Sequence, residues 1–381
     1  MIDRYLILGL RLGKHVDGFV DSYYGPAEHR EQVDGEEPLD PRSLADEAAA
    51  LRELAAGLEG ARSRWLGAQL VGLETTACRL AGDEISWVEE VQRCHGITPR
   101  LTGEDEFEEA HALLDETFGD ADGQRRWRES QTVPTDRLQA AAAVLTQDAR
   151  ARTRELFGLP DGEDTVIELA SGEPWAAYNY YQGGLRSRVA INTDLPTPSY
   201  FLADLGPHEL YAGHHTEHAW KEELLVRAQG ILEESLTVIG TPQATVSEGL
   251  AMVAAKILYG DELHERVAEL LQPLGIPYDA RGARTMERVE PALRKAGDNM
   301  AWFLNEERRP LEEVVEYGMR WRRLPREHVE KTIEFFLDPT WRAYSACYTN
   351  GRELVERFVD GDRGRFRRLL TEQLTPADLV L

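Results

Sequence analysis

Hydrophobic residues recur at three- and four-residue intervals along most of the chain, the spacing of one buried stripe on an α-helix. This spacing predicts helices over residues 43–60, 66–80, 85–94, 105–118 and 135–157. Turn-forming clusters such as Gly96-Ile97-Thr98-Pro99 and Gly119-Asp120-Ala121-Asp122-Gly123 separate them. The pattern changes at Thr165. Residues 165–169, 175–181 and 185–192 are short runs rich in β-branched and aromatic side chains, with Gln182-Gly183-Gly184 as a turn and Leu185, Val189 and Ile191 on one face. They predict a small antiparallel sheet over about residues 165–192. Helical spacing returns over 245–259, 261–271, 280–304, 311–321, 326–336 and 341–359. The expected fold class is mainly α: a multi-helical body with one small sheet. No repeat or low-complexity linker divides the 381 residues, which predicts a single domain, with a helical subregion 1–160 and a catalytic subregion 161–381 as its only natural parts.

Charge narrows the partners. The net charge of −25 excludes a surface built for nucleic acid, which needs basic residues against phosphate, and disfavours docking on anionic membranes. Cys78, Cys94 and Cys347 are widely spaced and form no C-x-x-C pair. They predict neither a disulfide framework nor a thiolate zinc site, and they fit a cytoplasmic protein. The first twelve residues hold a short apolar run interrupted by Asp3, Arg4 and Arg11, which predicts neither a signal peptide nor a membrane helix.

Candidate chemistry is concentrated in one place. Four of the ten histidines lie within residues 208–218, as His208, His214, His215 and His218. Neutral imidazole is the commonest protein ligand for transition metals, and Glu209 follows His208 as the carboxylate follows the first histidine of zinc hydrolases. The usual spacing puts the second histidine one turn later, whereas here His208 and His215 are seven residues apart. That is a rise of about 10.5 Å in an unbroken helix, against metal–nitrogen bonds of about 2.0–2.1 Å. The helix must bulge or break, and Gly213 is the expected point. His208 and His214 are then the expected ligands, with His215 as the alternative. His214 with His218, which are one turn apart and have Glu217 beside them, is a further pairing; packing of these histidines without a metal is another. Gly206-Pro207 is a suitable helix entry. Glu209 is the expected general base. Glu248 is the expected third ligand, because Ser247-Glu248-Gly249-Leu250-Ala251 opens an otherwise apolar helix on which a carboxylate needs a partner. The aromatic strand 175–181 is a candidate for strand addition by an extended substrate. Arg186 and Arg188 share a face of the next strand and are candidates for holding a substrate carboxylate.

His208-Glu209-Leu210-Tyr211-Ala212-Gly213-His214-His215 resembles the H-E-x-x-P-G-H-H signature of the bacterial domain of unknown function 885 family, whose members are similar to gluzincin-type metallopeptidases. Glu248-Gly249-Leu250-Ala251 is similar to that family's E-G-W-A segment, Tyr348-Thr349-Asn350-Gly351 to its S-Y-x-x-G, and Val20-Asp21-Ser22-Tyr23-Tyr24-Gly25-Pro26 to an N-terminal segment. Three positions depart from it. Ala212 stands for proline, Leu250 for tryptophan, and Ala255 for a glutamate common in the family. The resemblance implies a gluzincin-like helical body, zinc or another divalent transition metal, and Tyr348 as the oxyanion donor. The expected function is a zinc-dependent hydrolase of an amide or peptide bond, acting on a peptide or small-molecule substrate. The alternatives are a helical binding protein of the same fold that has lost its chemistry, and a non-hydrolytic His/His/Glu metalloenzyme.

Overall fold

The structure is a computed structural model that describes residues 1–172, 175–194 and 196–380. The chain opens with α1 (Ile2–Leu12) and β1 (Val20–Tyr23), then runs through α2 (Ala27–Asp34), α3 (Pro41–Ala55), α4 (Gly60–Leu80), α5 (Trp87–His95), α6 (Glu104–Phe118), α7 (Ala121–Ser130) and α8 (Thr135–Phe157). Three strands follow: β2 (Asp164–Ala170), β3 (Ala177–Gly183) and β4 (Arg186–Asn192). The site segment is α9 (Ser199–Glu209) and α10 (His214–Lys221), followed by β5 (Leu236–Val238). The rest is helical: α11 (Pro242–Tyr259), α12 (Leu263–Leu271), α13 (Ala280–Asn305), α14 (Leu311–Arg322), α15 (Arg326–Leu337), α16 (Ser345–Val359) and α17 (Arg363–Thr371). The fold is mainly α with a small β component, as the periodicity predicts. No helix among the described residues is long and apolar enough to cross a membrane.

Local chemistry sets several of these boundaries. Asp40 caps α3 by accepting from the Arg42 amide, with Pro41 in the first turn. Ser86 accepts from the Glu89 amide at the start of α5, and Gly96 ends that helix in the left-handed conformation at φ 67°.

The sheet differs from the all-antiparallel expectation. β3 and β4 form the predicted hairpin, but β2 pairs with β4 in parallel, giving the order β2-β4-β3. The apolar content of β4 accounts for this: Val189, Ala190 and Ile191 are each about 1% exposed. A strand buried to that extent belongs in the centre of a sheet, so the more exposed β2 takes its outer edge. β1 and β5, far apart in sequence, form a separate antiparallel pair.

The largest core cluster joins α8, α9, β4, α11, α16 and α17, with Val246, Leu250, Val355 and Phe358 at its centre. A second packs α1, α3, α4 and β5 together. At the heart of the first, α11 and α16 touch backbone to backbone. A Cβ on Gly249 would stand 2.3 Å from the Gly351 carbonyl oxygen, and one on Gly351 would stand 2.6 Å from the Thr245 carbonyl oxygen. Only glycine fits at both positions, and the contact brings Glu248 to Tyr344, the residue just before α16.

The buried end of α5 offers a test of stability. His95 is 1% exposed, and burial pulls its imidazole down to about 4. As pH falls below the usual 6.5, the unfolded chain takes up a proton that the folded protein refuses. This group is expected to remove about 2 kcal/mol of stability between roughly pH 6.5 and 5. Urea denaturation across that range should show His95→Gln with a shallower decline than the wild type; identical slopes would mean that His95 is protonated in place.

Candidate metal centre

The site is built on a break in what would otherwise be one helix. α9 ends at Glu209 and α10 begins at His214. The amides of Leu210 and Tyr211 both donate to the Gly206 carbonyl, at 3.0 and 3.1 Å. The freed Leu210 carbonyl accepts from the amide and hydroxyl of Thr216, at 3.1 and 3.0 Å. The Glu209 carbonyl accepts from the Asn179 amide of β3 at 2.6 Å. These bonds satisfy the Gly206, Glu209 and Leu210 carbonyls at the break. The peptide bond between Tyr211 and Ala212 is cis. Gly213 is at the turn as expected, but for steric reasons: its φ is −83°, and an added Cβ would lie 1.9 Å from the His208 carbonyl oxygen.

This geometry brings His208, His214 and Glu248 together, with their ligand atoms all within 4.8 Å of one another. His208 Nε2 is 3.6 Å from one Glu248 oxygen, and His214 Nε2 is 3.6 Å from the other. The imidazole rings are perpendicular, at 88°, with centroids 4.9 Å apart. Ligand atoms about 2.0–2.1 Å from a tetrahedral zinc ion lie about 3.4 Å from each other, so the cluster has the spacing of a three-ligand site with only small closure. Glu248 Oε2 is buried without a hydrogen-bond partner, an arrangement that a bound cation would relieve. Glu248 lies in the second turn of α11, because the helix begins at Pro242, three residues before the predicted start.

A second layer orients these groups. His214 Nδ1 donates to the Ser247 hydroxyl at 3.0 Å, and that hydroxyl donates to Glu217 at 2.5 Å. Lys221 donates to the same carboxylate group at 2.7 Å. The relay leaves Nε2 of His214 as the nitrogen that faces Glu248. The Tyr344 hydroxyl donates to Glu248 Oε1. Burial would raise the Glu248 carboxyl, but His214, His208 and the Tyr344 hydroxyl outweigh it and hold it at about 2. Burial would lower His214, but the Glu248 carboxylate holds it up at about 9. His208 is pulled down by burial to about 4. Glu209 is 9% exposed, and burial raises it to about 7.

The other sequence candidates take different places. His215 is fully buried, with Nδ1 on the Ser187 hydroxyl at 2.8 Å and Nε2 on Glu163 at 3.2 Å. Both ring nitrogens are occupied, so the alternative ligand is a structural anchor. Glu163 also takes the Tyr211 hydroxyl at 2.8 Å and Arg150 at 2.6 Å, fixing the break from behind. His218 stacks on Tyr181, with centroids 4.9 Å apart. Tyr348 is partly buried and stands beside Tyr344, ring centroids 5.6 Å apart. Burial raises its phenol well above the usual value, with Glu248 and Glu209 adding to the effect. Arg188 pairs with Glu168 and lies 4.0 Å over the Tyr180 ring, and Arg186 is exposed; neither is joined to the metal cluster. Sequence reasoning missed Asn179, Ser247, Tyr344 and Asp21. Asp21, on β1, accepts from the Tyr178 hydroxyl; burial raises its carboxyl, partly offset by Tyr178 and the nearby His214. Its place in the Val20–Pro26 segment was the available signal.

No protein-family model and no curated protein matches the chain. Among solved structures the chain is similar to a candidate lipoprotein from Colwellia psychrerythraea, with TM-score 0.55 and 15% identity over 88% of this chain and 65% of that one. It is also similar to a candidate lipoprotein of unknown function from Shewanella oneidensis, with TM-score 0.44 and 11% identity over 87% of this chain and 66% of that one. The chain therefore spans about two thirds of the length of these proteins. The first likeness shows a shared fold and assigns no chemistry.

Proposed function

We propose that the protein is a zinc-dependent hydrolase of amide or peptide bonds, with His208, His214 and Glu248 as metal ligands. The observation that supports this most is the approach of the two Nε2 atoms, 3.6 Å from opposite oxygens of one buried carboxylate, across the helix break. Two imidazoles and a carboxylate, with Glu209 next to the first histidine, suit a catalytic zinc site; other divalent transition metals accept the same donors. Bound zinc supplies Lewis acidity, acidifying water and polarising a carbonyl. Glu209 takes the proton of the attacking water on its carboxylate and passes it to the leaving nitrogen. Tyr348 donates its phenolic hydrogen to the charge that develops on the carbonyl oxygen. Kinship with the domain of unknown function 885 family belongs to the same reading. Its support is that the Glu248-Gly249 and Tyr348–Gly351 segments, distant in sequence, meet where α11 and α16 cross. The three unpaired cysteines support a reducing, cytoplasmic setting.

Elemental analysis of purified protein tests the ligand set. One zinc per chain is expected. His214→Ala should abolish stoichiometric binding, whereas His215→Ala should keep one zinc per chain with roughly 10- to 100-fold weaker affinity, as for loss of a supporting contact. The reverse ranking would remove His214 from the set. A wild-type protein that takes up no divalent metal would end the hydrolase reading.

A further inference from the structure

A lysine buried on α10 has no part in the hydrolytic steps. Lys221 closes that helix at 3% exposed, and its ammonium donates at 2.7 Å to Oε1 of Glu217, which is 1% exposed. A buried ion pair is weak evidence for stability, because taking both charges out of water offsets most of their attraction. The place of this pair in the fold points to another use. His214, Glu217 and Lys221 follow one another at steps of three and four residues, so they form one stripe along α10. Lys221 stands on the face of the candidate ligand, about 10.5 Å further along the axis. The chain then enters a π-helical turn, Glu222–Arg227. There Glu222 accepts from the Tyr181 hydroxyl at 2.6 Å and the Gly184 amide at 3.1 Å, which ties the end of α10 to the β3–β4 hairpin.

Ser247, on α11, joins this stripe to the metal centre. Its hydroxyl has a single hydrogen. Glu217 Oε2, 2.5 Å away, is a carboxylate oxygen that can only accept, so that hydrogen goes to it. The Ser247 oxygen is left as an acceptor, and over the 3.0 Å to His214 the hydrogen it receives is the one on Nδ1. In the neutral ring Nε2 then carries the lone pair, on the side of Glu248. The order of donors and acceptors is set at one end. Lys221 has three hydrogens and no acceptor, so whatever stands at position 217 must accept from it. A group that also donated to Ser247 would turn the serine hydroxyl toward Nδ1. The imidazole hydrogen would then sit on Nε2, where it blocks a metal. Ser247 immediately precedes Glu248, so the same bonds tie α10 to α11, the helices that carry two of the three ligands.

Resting on the ligand set of the hydrolase reading, we propose that Lys221 and Glu217 are positioning residues for the metal centre. Both lie outside the cluster of ligand atoms. Through Ser247 they dictate which nitrogen of His214 carries hydrogen, and so keep Nε2 open to a divalent cation. The buried charge pair is retained for the direction it imposes on these hydrogen bonds, three links from the lysine to the ligand.

Glu217→Gln tests this with little change of shape. Lys221 claims the amide oxygen, which leaves the amide hydrogens facing Ser247 and reverses the order. Nuclear magnetic resonance of metal-free protein labelled with nitrogen-15 histidine reads which ring nitrogen bears the hydrogen. The measurement is made at about pH 10, above the value of about 9 at which Glu248 holds His214. The wild type should carry the hydrogen on Nδ1 and Glu217→Gln on Nε2. Zinc, measured against a competing chelator at neutral pH, should bind Glu217→Gln roughly 10- to 100-fold more weakly than the wild type. Lys221→Met should move both readings the same way, whereas Lys221→Arg, which still donates to Glu217, should keep both near the wild type. A hydrogen on Nε2 in the wild type would overturn the proposal without any variant having to fold. So would a hydrogen that stays on Nδ1 in Glu217→Gln and Lys221→Met while zinc weakens, since the pair would then act through packing alone. A hydrogen that moves as expected in a protein that takes up no zinc would sink the hydrolase reading and leave the relay standing.

Discussion

Glutamine at position 209 is expected to leave one zinc per chain in place and to lower kcat by roughly 10²- to 10⁴-fold, the usual worth of a positioned general base. Glu209 lies outside the group of ligand atoms that converge within 4.8 Å, so metal uptake has no reason to change. Its backbone carbonyl is fixed by Asn179 at 2.6 Å, which an amide side chain does not disturb. Glutamine has nearly the shape of glutamate and cannot take a proton from water. The loss should therefore appear in kcat, with KM little altered. Measuring zinc content and turnover on the same preparation separates the outcomes. A Gln variant with wild-type turnover removes Glu209 from the mechanism; one that loses zinc makes it a ligand instead.

Much of this arrangement can be read in the sequence, and the remainder has physical reasons for being hidden. The long helices are legible because their apolar stripes are regular. The spacing predicts 135–157, and α8 runs Thr135–Phe157; it predicts 311–321, and α14 runs Leu311–Arg322. Histidine clustering and the need for a break at Gly213 are legible because the six-residue step from His208 to His214 conflicts with the rise of an intact helix. The parallel β2–β4 pairing is not, since period-two alternation gives a strand's faces but not its neighbour. Nor is the β1–β5 pair, in which four residues near the start meet three residues more than two hundred positions later. Tyr344 and Ser247 carry no local pattern, and Asp21 is marked only by its place in the Val20–Pro26 segment. Their positions depend on how closely helices and strands approach, and for Tyr344 that means the glycine contact between Gly249 and Gly351. A reading of residue 248 alone finds a carboxylate in need of a partner; only the packing shows that a tyrosine and two histidines supply it.

Gly213→Ala carries this argument to its most severe test. The added methyl group would stand 1.9 Å from the His208 carbonyl oxygen and 2.4 Å from that of Pro207, both backbone atoms with no side-chain rotation available to relieve the clash. Either the chain between α9 and α10 shifts or His208 does, and each parts His208 from His214. The expected result is a loss of about 3 kcal/mol of stability, at the upper end of overpacking costs, together with loss of stoichiometric zinc and of turnover. Gly67→Ala is the control: it lies in α4 with nothing within 4 Å of the new Cβ, and alanine there should be neutral or stabilising by about 0.5–1 kcal/mol. Urea denaturation and metal analysis of the two variants give the comparison. If Gly213→Ala keeps its zinc and its stability, the close approach of residue 213 to His208 is not what holds the histidines together. The metal site would then have to tolerate a rearranged break, against the fixed geometry that the Leu210–Thr216 and Glu209–Asn179 hydrogen bonds impose.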